Sequence, residues 1–258
     1  MIENLIPYES GTGKKLGDYV MRYTQVVEEM TSMGIAVIGI DFPGHGESEG
    51  KRGNVGRMSD LHTVIDEARG VLGEIVDPID SQVGALAHSA GGMILFDYLT
   101  HYPGKLEFAW VNACLVNPLH RRSPNVTRGA KLASVLAPSR TISTNVVPSM
   151  GKVGEPDQHP PPEEGRGHDR VSLRFGIELI KSQQRIAQFR NNLNRDFRLL
   201  MTHGVKDEVC PVNCAREFYS SLPIRKKEFR EFPEHLHQLL HDPAVMEFGK
   251  DWLRRVMG

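Results

Sequence analysis

The chain is poor in cysteine: Cys114, Cys210 and Cys214 are the only three among 258 residues. An odd number cannot pair completely and nothing resembles a disulfide framework, so a reducing, cytoplasmic setting is expected. No apolar run approaches the roughly 18–20 residues that span a bilayer. The segment Met1–Tyr8 is too short and too polar to read as a secretory signal. An excess of one charge is also missing. Lys and Arg together number 31 against 32 Asp and Glu, which removes the main electrostatic reason to expect a nucleic-acid partner. No internal repeat is present. What remains, 40% apolar and 24% charged residues, is ordinary for a globular protein, and the length suits one large α/β unit.

Short apolar runs alternate with helical patterns. Ile35–Ile40, a β-branched run, predicts a buried strand. Met58–Leu72 predicts a helix with Leu61, Ile65, Ala68 and Leu72 on one face. Val83–Ala87 and Ala109–Val116 predict further strands, separated by a helix from Gly91 to His101 that closes before Pro103. Such alternation points to a parallel sheet covered on both faces. Between about Pro118 and Arg170 the pattern fails, and proline, serine and arginine become frequent. That stretch reads as an insertion, partly loop, followed by a polar helix from Val171 to about Asn192. The alternation then resumes: a strand at Arg198–Met201, a helix at Asn213–Leu222, a strand at Lys227–Phe232, and a last helix opened by Pro243.

Ala87-His88-Ser89-Ala90-Gly91-Gly92 joins a predicted strand to a predicted helix. A serine on such a sharp turn presents its hydroxyl at the strand's C-terminal end. The backbone N–H of Ala90, at the following helix N-terminus, can stabilise an oxyanion. The usual pattern is G-x-S-x-G, and Ala87 replaces its first glycine. The plainer alternative is a small-residue turn needed only for strand–helix packing.

In this architecture the acid and the histidine follow the serine in that order, each at the end of a later strand. Asp207 lies in the loop after Arg198–His203, with Glu208 beside it as a rival. His237 lies in the loop after Lys227–Phe232, flanked by His235 and His241 as competitors. The chemistry asks for these types: a hydroxyl, an imidazole to take its proton, and a carboxylate to hold the imidazole's tautomer.

The residues also resemble a known family. Gly34–Gly53, containing Asp41-Phe-Pro-Gly-His-Gly-Glu-Ser48, looks like the turn after the fourth strand in monoacylglycerol lipases, of the serine-aminopeptidase-like branch of the α/β-hydrolase fold. Ala87–Gly92, His203–Asp207 and Phe232–Pro243 follow that family in order and spacing. The likeness runs from about Tyr19 to the C-terminus and is weak only through the insertion. It implies Ser89 as nucleophile, Asp207 as acid and His237 as base, with Gly44, His45 and Gly46 in a structural turn. The family's first strands look shortened here. Aligning back from Arg22-Tyr23 makes Leu16 the second oxyanion donor; alternatively Leu5–Tyr8 is the strand and Glu9–Gly11 supplies it.

The resemblance implies a core of residues 1–117 and 193–258, and a cap of residues 118–192 shaping an acyl-chain pocket. It implies a monoacylglycerol or other small ester as substrate, and neither metal nor organic cofactor. Amide, lactone or lysophospholipid cleavage would use the same triad, and a non-catalytic ligand-binding or scaffold role is the alternative of a different class. No acidic residue lies between Glu107 and Glu155. The insertion therefore reads either as a cationic lid making transient contact with anionic lipid surfaces or as a solvated face. Two further signals are discounted. Ser10–Lys15 lacks the glycine and Ser/Thr positions of a phosphate loop, and Cys210-x-x-x-Cys214 lacks a partner pair at zinc-binding spacing.

Overall fold

A computed structural model describes residues 19–77, 81–117, 124–143, 152–153 and 170–258. Leu16, Glu9–Gly11 and the Pro156–Gly167 stretch lie outside the described residues. The chain divides into two compact units, one of residues 1–81, 122–146 and 160–178, the other of residues 82–121, 147–159 and 179–258.

The second unit holds a four-stranded sheet in the order β1-β2-β5-β6, made of Gly84–His88 (β1), Phe108–Asn112 (β2), Arg198–Gly204 (β5) and Lys226–Phe232 (β6). All pairings are parallel, with Ala85 beside Ala109, Ala109 beside Leu199 and Leu199 beside Lys227. The two inner strands explain the apolar runs in the sequence. Every residue of β2 is buried, as is all of β5 after Arg198, because a parallel sheet covered on both faces leaves no strand face for water.

Helix α3, Ala90–His101, is buried except at Gly91 and His101. Its one carboxylate, Asp97, is fully buried and is gripped by the Arg185 guanidinium, with Nη2 to Oδ2 at 2.7 Å and Nε to Oδ1 at 3.0 Å. A two-pronged ionic contact of this kind satisfies a carboxylate that would otherwise be costly to bury. Helix α6 spans Val212–Ser221 and helix α7 spans Pro243–Met257. The predicted start of α7 holds: Asp242 caps it, accepting from Ala244 N at 2.8 Å, with Pro243 in the first turn.

The first unit contains α1 (Thr24–Ser32), α2 (Met58–Ile75), α4 (Pro124–Leu136) and an antiparallel pair, β3 (Thr141–Ser143) with β4 (Arg170–Ser172). Helix α5, Leu173–Phe189, follows β4. The turn around Gly44–Gly46 is organised by Asp41, whose side chain accepts from Val20 N at 2.9 Å and from Glu47 N at 3.1 Å. Gly44 and Gly46 both have positive φ, 77° and 47°, and a Cβ on Gly46 would collide with the Asp41 carboxylate. His45 is fully buried there, as expected of a structural turn.

Three expectations are corrected. Ile35–Ile40 forms no strand among the described residues: β-branched residues favour an extended chain, but a strand also needs a ladder partner. The third predicted strand ends at Asn112, not Val116. Ala113 has φ 45°, a left-handed conformation that breaks the ladder. The stretch read as partly loop carries α4, which begins at Pro124. Its proline sits at the first helical position, where the missing N–H is harmless.

The packing yields a paired test. A Cβ on Gly249 of α7 would run into the fully buried Trp110 ring, whereas Gly73 of α2 has nothing nearby. Gly249→Ala is expected to destabilise by about 1–3 kcal/mol in spite of alanine's better helix propensity. Gly73→Ala is expected to stabilise by about 0.5–1 kcal/mol. Denaturant midpoints of both variants check this.

Candidate active site

Ser89 stands between the last residue of β1 and the first of α3, with φ 54° and ψ −121°. A non-glycine residue there is strained by about 1–3 kcal/mol. Its peptide is held in place from both sides: Ser89 N donates to Asn112 O at 3.0 Å, while its carbonyl accepts from Gly92 N at 3.1 Å and Leu115 N at 3.0 Å. The last contact depends on the sharp turn at Ala113, which redirects the chain after β2. The requirement for small neighbours is uneven. A Cβ on Gly92 would sit 2.6 Å from Cys114 Sγ, whereas one on Gly91 meets only Ala87 Cβ at 3.9 Å. Gly92 is therefore the residue that close helix–strand packing demands.

The three side chains nominated from sequence lie in one hydrogen-bonded row. Ser89 Oγ is 3.0 Å from His237 Nε2, and His237 Nδ1 is 2.8 Å from Asp207 Oδ2. The rivals are placed elsewhere. Glu208 is exposed while Asp207 is buried. His235 Nε2 faces Asp242 Oδ2 at 3.0 Å, and the row's two hydrogen bonds use His237 rather than the buried His241. Parallel register explains the convergence, because Ser89, Asp207 and His237 follow the C-terminal ends of β1, β5 and β6 in one parallel sheet. Ala90 opens α3, so its N–H belongs to the unpaired first turn of a helix.

Asp207 is tightly fixed. Its Oδ1 accepts from Val209 N and Cys210 N, both at 2.8 Å. Burial works against its charge, but hydrogen bonds from His203 and His237, the nearby imidazole charge and the Cys210 N–H outweigh that and hold the carboxyl well below its usual range. His203 is a fourth participant beside the three nominated residues. It is fully buried at the end of β5, 3.4 Å from Asp207 Oδ2, and its Nε2 donates to Cys210 O at 2.6 Å. The signal was available in sequence as a histidine four residues before the acid.

A second polar layer lies beneath. His88 Nδ1 donates to Asn112 Oδ1 at 2.8 Å, and Asn112 Nδ2 and Trp110 Nε1 both reach Thr202 Oγ1 at 2.8 Å. The His88 and His237 rings lie 4.8 Å apart. Beside α3 a cavity of about 250 Å³ is lined mainly by apolar residues, among them Met93, Phe96, Leu115, Ile186 and Phe218. Met93 is one helical turn beyond Ser89.

A parallel sheet with a strained serine at a strand-to-helix turn, and an acid and a histidine on later strand ends, defines an α/β hydrolase. The family description "Serine aminopeptidase, S33" matches residues 15–244, and the chain belongs to that family. Among curated relatives, a monoacylglycerol lipase of Mycolicibacterium smegmatis is 25% identical over 241 residues, covering 92% of this chain and 84% of that protein. A monoglyceride lipase of Rattus norvegicus is 26% identical over 263 residues, covering 90% and 82%. The solved structure of a Paleococcus ferrophilus monoacylglycerol lipase shares the fold with a TM-score of 0.77 at 22% identity, covering 95% of this chain and 91% of that one. A soluble variant of monoglyceride lipase from Saccharomyces cerevisiae, in complex with a substrate analog, gives 0.73 at 14% identity over 96% and 89%. No helix among the described residues is long and apolar enough to cross a membrane.

The ionisation of Asp207 sets the sign of a pH effect. Its folded pKa is depressed, so the stability it contributes is complete above the unfolded value of about 4 and is lost as pH falls below it. The stability difference between the wild type and Asp207→Asn should therefore shrink between neutral pH and about pH 3. Urea denaturation at both pH values measures it.

Proposed function

We propose that the protein is a carboxylic-ester hydrolase that cleaves monoacylglycerol-like or short-to-medium acyl esters through an acyl-enzyme. The observation that carries this reading is the unbroken Ser89–His237–Asp207 row, ending on a serine held at positive φ. Such a row does little for ligand binding alone, but it is what a weak nucleophile needs for activation.

Each role follows from an atom. His237 Nδ1–H donates to Asp207, which leaves Nε2 with its lone pair towards the Ser89 hydroxyl. As Oγ attacks the ester carbonyl, Nε2 takes its proton, and the Asp207 carboxylate steadies the imidazolium that forms. The Ala90 N–H receives the developing oxyanion, and we assign the second donor to Leu16. His237 then returns the proton to the departing alcohol. Water, deprotonated by the same nitrogen, attacks the acyl-Ser89 ester, and the carboxylic acid leaves. The steps balance without a metal or organic cofactor. The apolar cavity beside α3 supports an acyl group as the part of the substrate held by the protein. Residues 118–192 are proposed as a cap that sets acyl length and makes transient contact with lipid surfaces.

The test is hydrolysis of a p-nitrophenyl ester series from acetate to palmitate. The wild type is expected to turn over with an optimum in chain length, and Ser89→Ala to lose about 10⁴-fold or more in kcat. A folded wild type inert on every ester, or a Ser89→Ala variant that keeps its rate, overturns the reading.

A further inference from the structure

Cys210 is a buried nucleophilic group that the proposed mechanism does not use. Its sequence neighbour Cys214 offered no plausible metal site, because the pair lacked further ligands at suitable spacing. Folding gives Cys210 different company. A donor atom from each of Asp207, Cys210 and His237 lies within 4.8 Å of the others, and all three residues are buried. All three belong to the same compact unit. We propose that Asp207, Cys210 and His237 form a capture site for a thiophilic divalent cation such as Zn²⁺ or Cd²⁺, whose binding reversibly shuts off Ser89.

Three physical arguments carry this. The first is donor type: a thiolate, an imidazole and a carboxylate are the ligands that zinc-like ions take in four-coordinate sites, and they exclude hard ions such as Mg²⁺ or Ca²⁺. The second is reach. Metal–ligand bonds of about 2.0–2.3 Å put tetrahedral donors about 3.3–3.6 Å apart, so no pair of the three atoms, all within 4.8 Å of one another, has to close by more than about 1.5 Å. The carboxylate is already anchored by the Val209 and Cys210 N–H groups, and Cys210 O by His203. That leaves the thiol and imidazole rotamers to make the adjustment. The third is charge. A divalent ion with one thiolate and one carboxylate is formally neutral, the condition for holding an ion in a buried place at tolerable cost. Ser89 Oγ or a water completes the fourth position.

Binding releases one proton. The Cys210 thiol gives its proton to solvent and the metal–sulfur bond takes its place. The ligand is the thiolate, so protons compete with the metal and capture strengthens as pH rises. The imidazole keeps its single proton on whichever nitrogen the metal leaves free. If the metal takes Nε2, the lone pair facing Ser89 is gone. If it takes Nδ1, the proton moves to Nε2 and that nitrogen can no longer accept one. Either way Ser89 loses its base. The site itself rests on donor geometry; only the shut-off rests on the esterase reading.

Co²⁺ titration of the metal-free protein tests the site without requiring turnover. The expected result is a near-ultraviolet thiolate-to-cobalt absorption that saturates at one equivalent, is displaced by Zn²⁺, and grows between pH 6.5 and about 8. Cys210→Ser should abolish the band. His237→Ala should weaken binding at least about tenfold, whereas Cys114→Ser and Cys214→Ser should retain it. Circular dichroism confirms that each variant is folded. No thiolate band in the wild type, or a band that survives Cys210→Ser, overturns the proposal. Ester hydrolysis without the band defeats this inference alone, and the band without hydrolysis defeats the esterase reading alone. If both are present, Zn²⁺ should inhibit hydrolysis and EDTA should restore it; hydrolysis indifferent to saturating Zn²⁺ contradicts the shut-off.

Discussion

The site depends on one backbone constraint: the left-handed conformation of Ser89. The Ser89 side chain makes no capping hydrogen bond to α3. The strain is held by the peptide's own hydrogen bonds, from Ser89 N to Asn112 O and from Gly92 N and Leu115 N to Ser89 O. Those bonds exist because β1 and β2 are in parallel register and because Ala113, also at positive φ, turns the chain back at the end of β2. Two strained residues on adjacent strands thus support one another. Stored strain of this kind persists only where surrounding structure over-determines it, and here that structure is the pairing of β1 with the fully buried strand β2.

From that constraint the rest of the row follows. β5 and β6 continue the sheet in register, so their C-terminal loops arrive beside Ser89 with Asp207 and His237. Burial then acts twice. It strengthens the contacts within the row, since a low local dielectric raises the worth of each hydrogen bond. It also makes every unpartnered polar atom costly, which is why Asp207 is surrounded by two backbone N–H groups and two imidazoles. The same crowding brings Cys210 to the row. A thiol close to an acid and a base is thereby a consequence of anchoring the acid loop.

Much of this was legible in the sequence, and for identifiable reasons. Ser89, Asp207 and His237 could be found because each sits where an apolar run gives way to a loop, in the order the fold requires. The choice of Asp207 over Glu208 and of His237 over His235 came from resemblance; composition around those loops does not distinguish them. The structure separates them by burial and by the contact between His235 and Asp242. Ile35–Ile40 misled because strand propensity is local while a ladder is not. Helix α4 was hidden because the density of proline, serine and arginine around it outweighed the run from Lys131 to Leu136. The end of β2 could not be read from residues at all, since an alanine gives no sign of a positive φ.

The central claim is that the strained turn makes Ser89 an activated nucleophile. Covalent labelling with a fluorophosphonate, followed by mass mapping of the modified peptide, tests it most directly. The account predicts a single adduct on Ser89 in the wild type, and none when His237 is replaced by alanine. A protein that takes no label, or that carries the adduct on another residue, would contradict it.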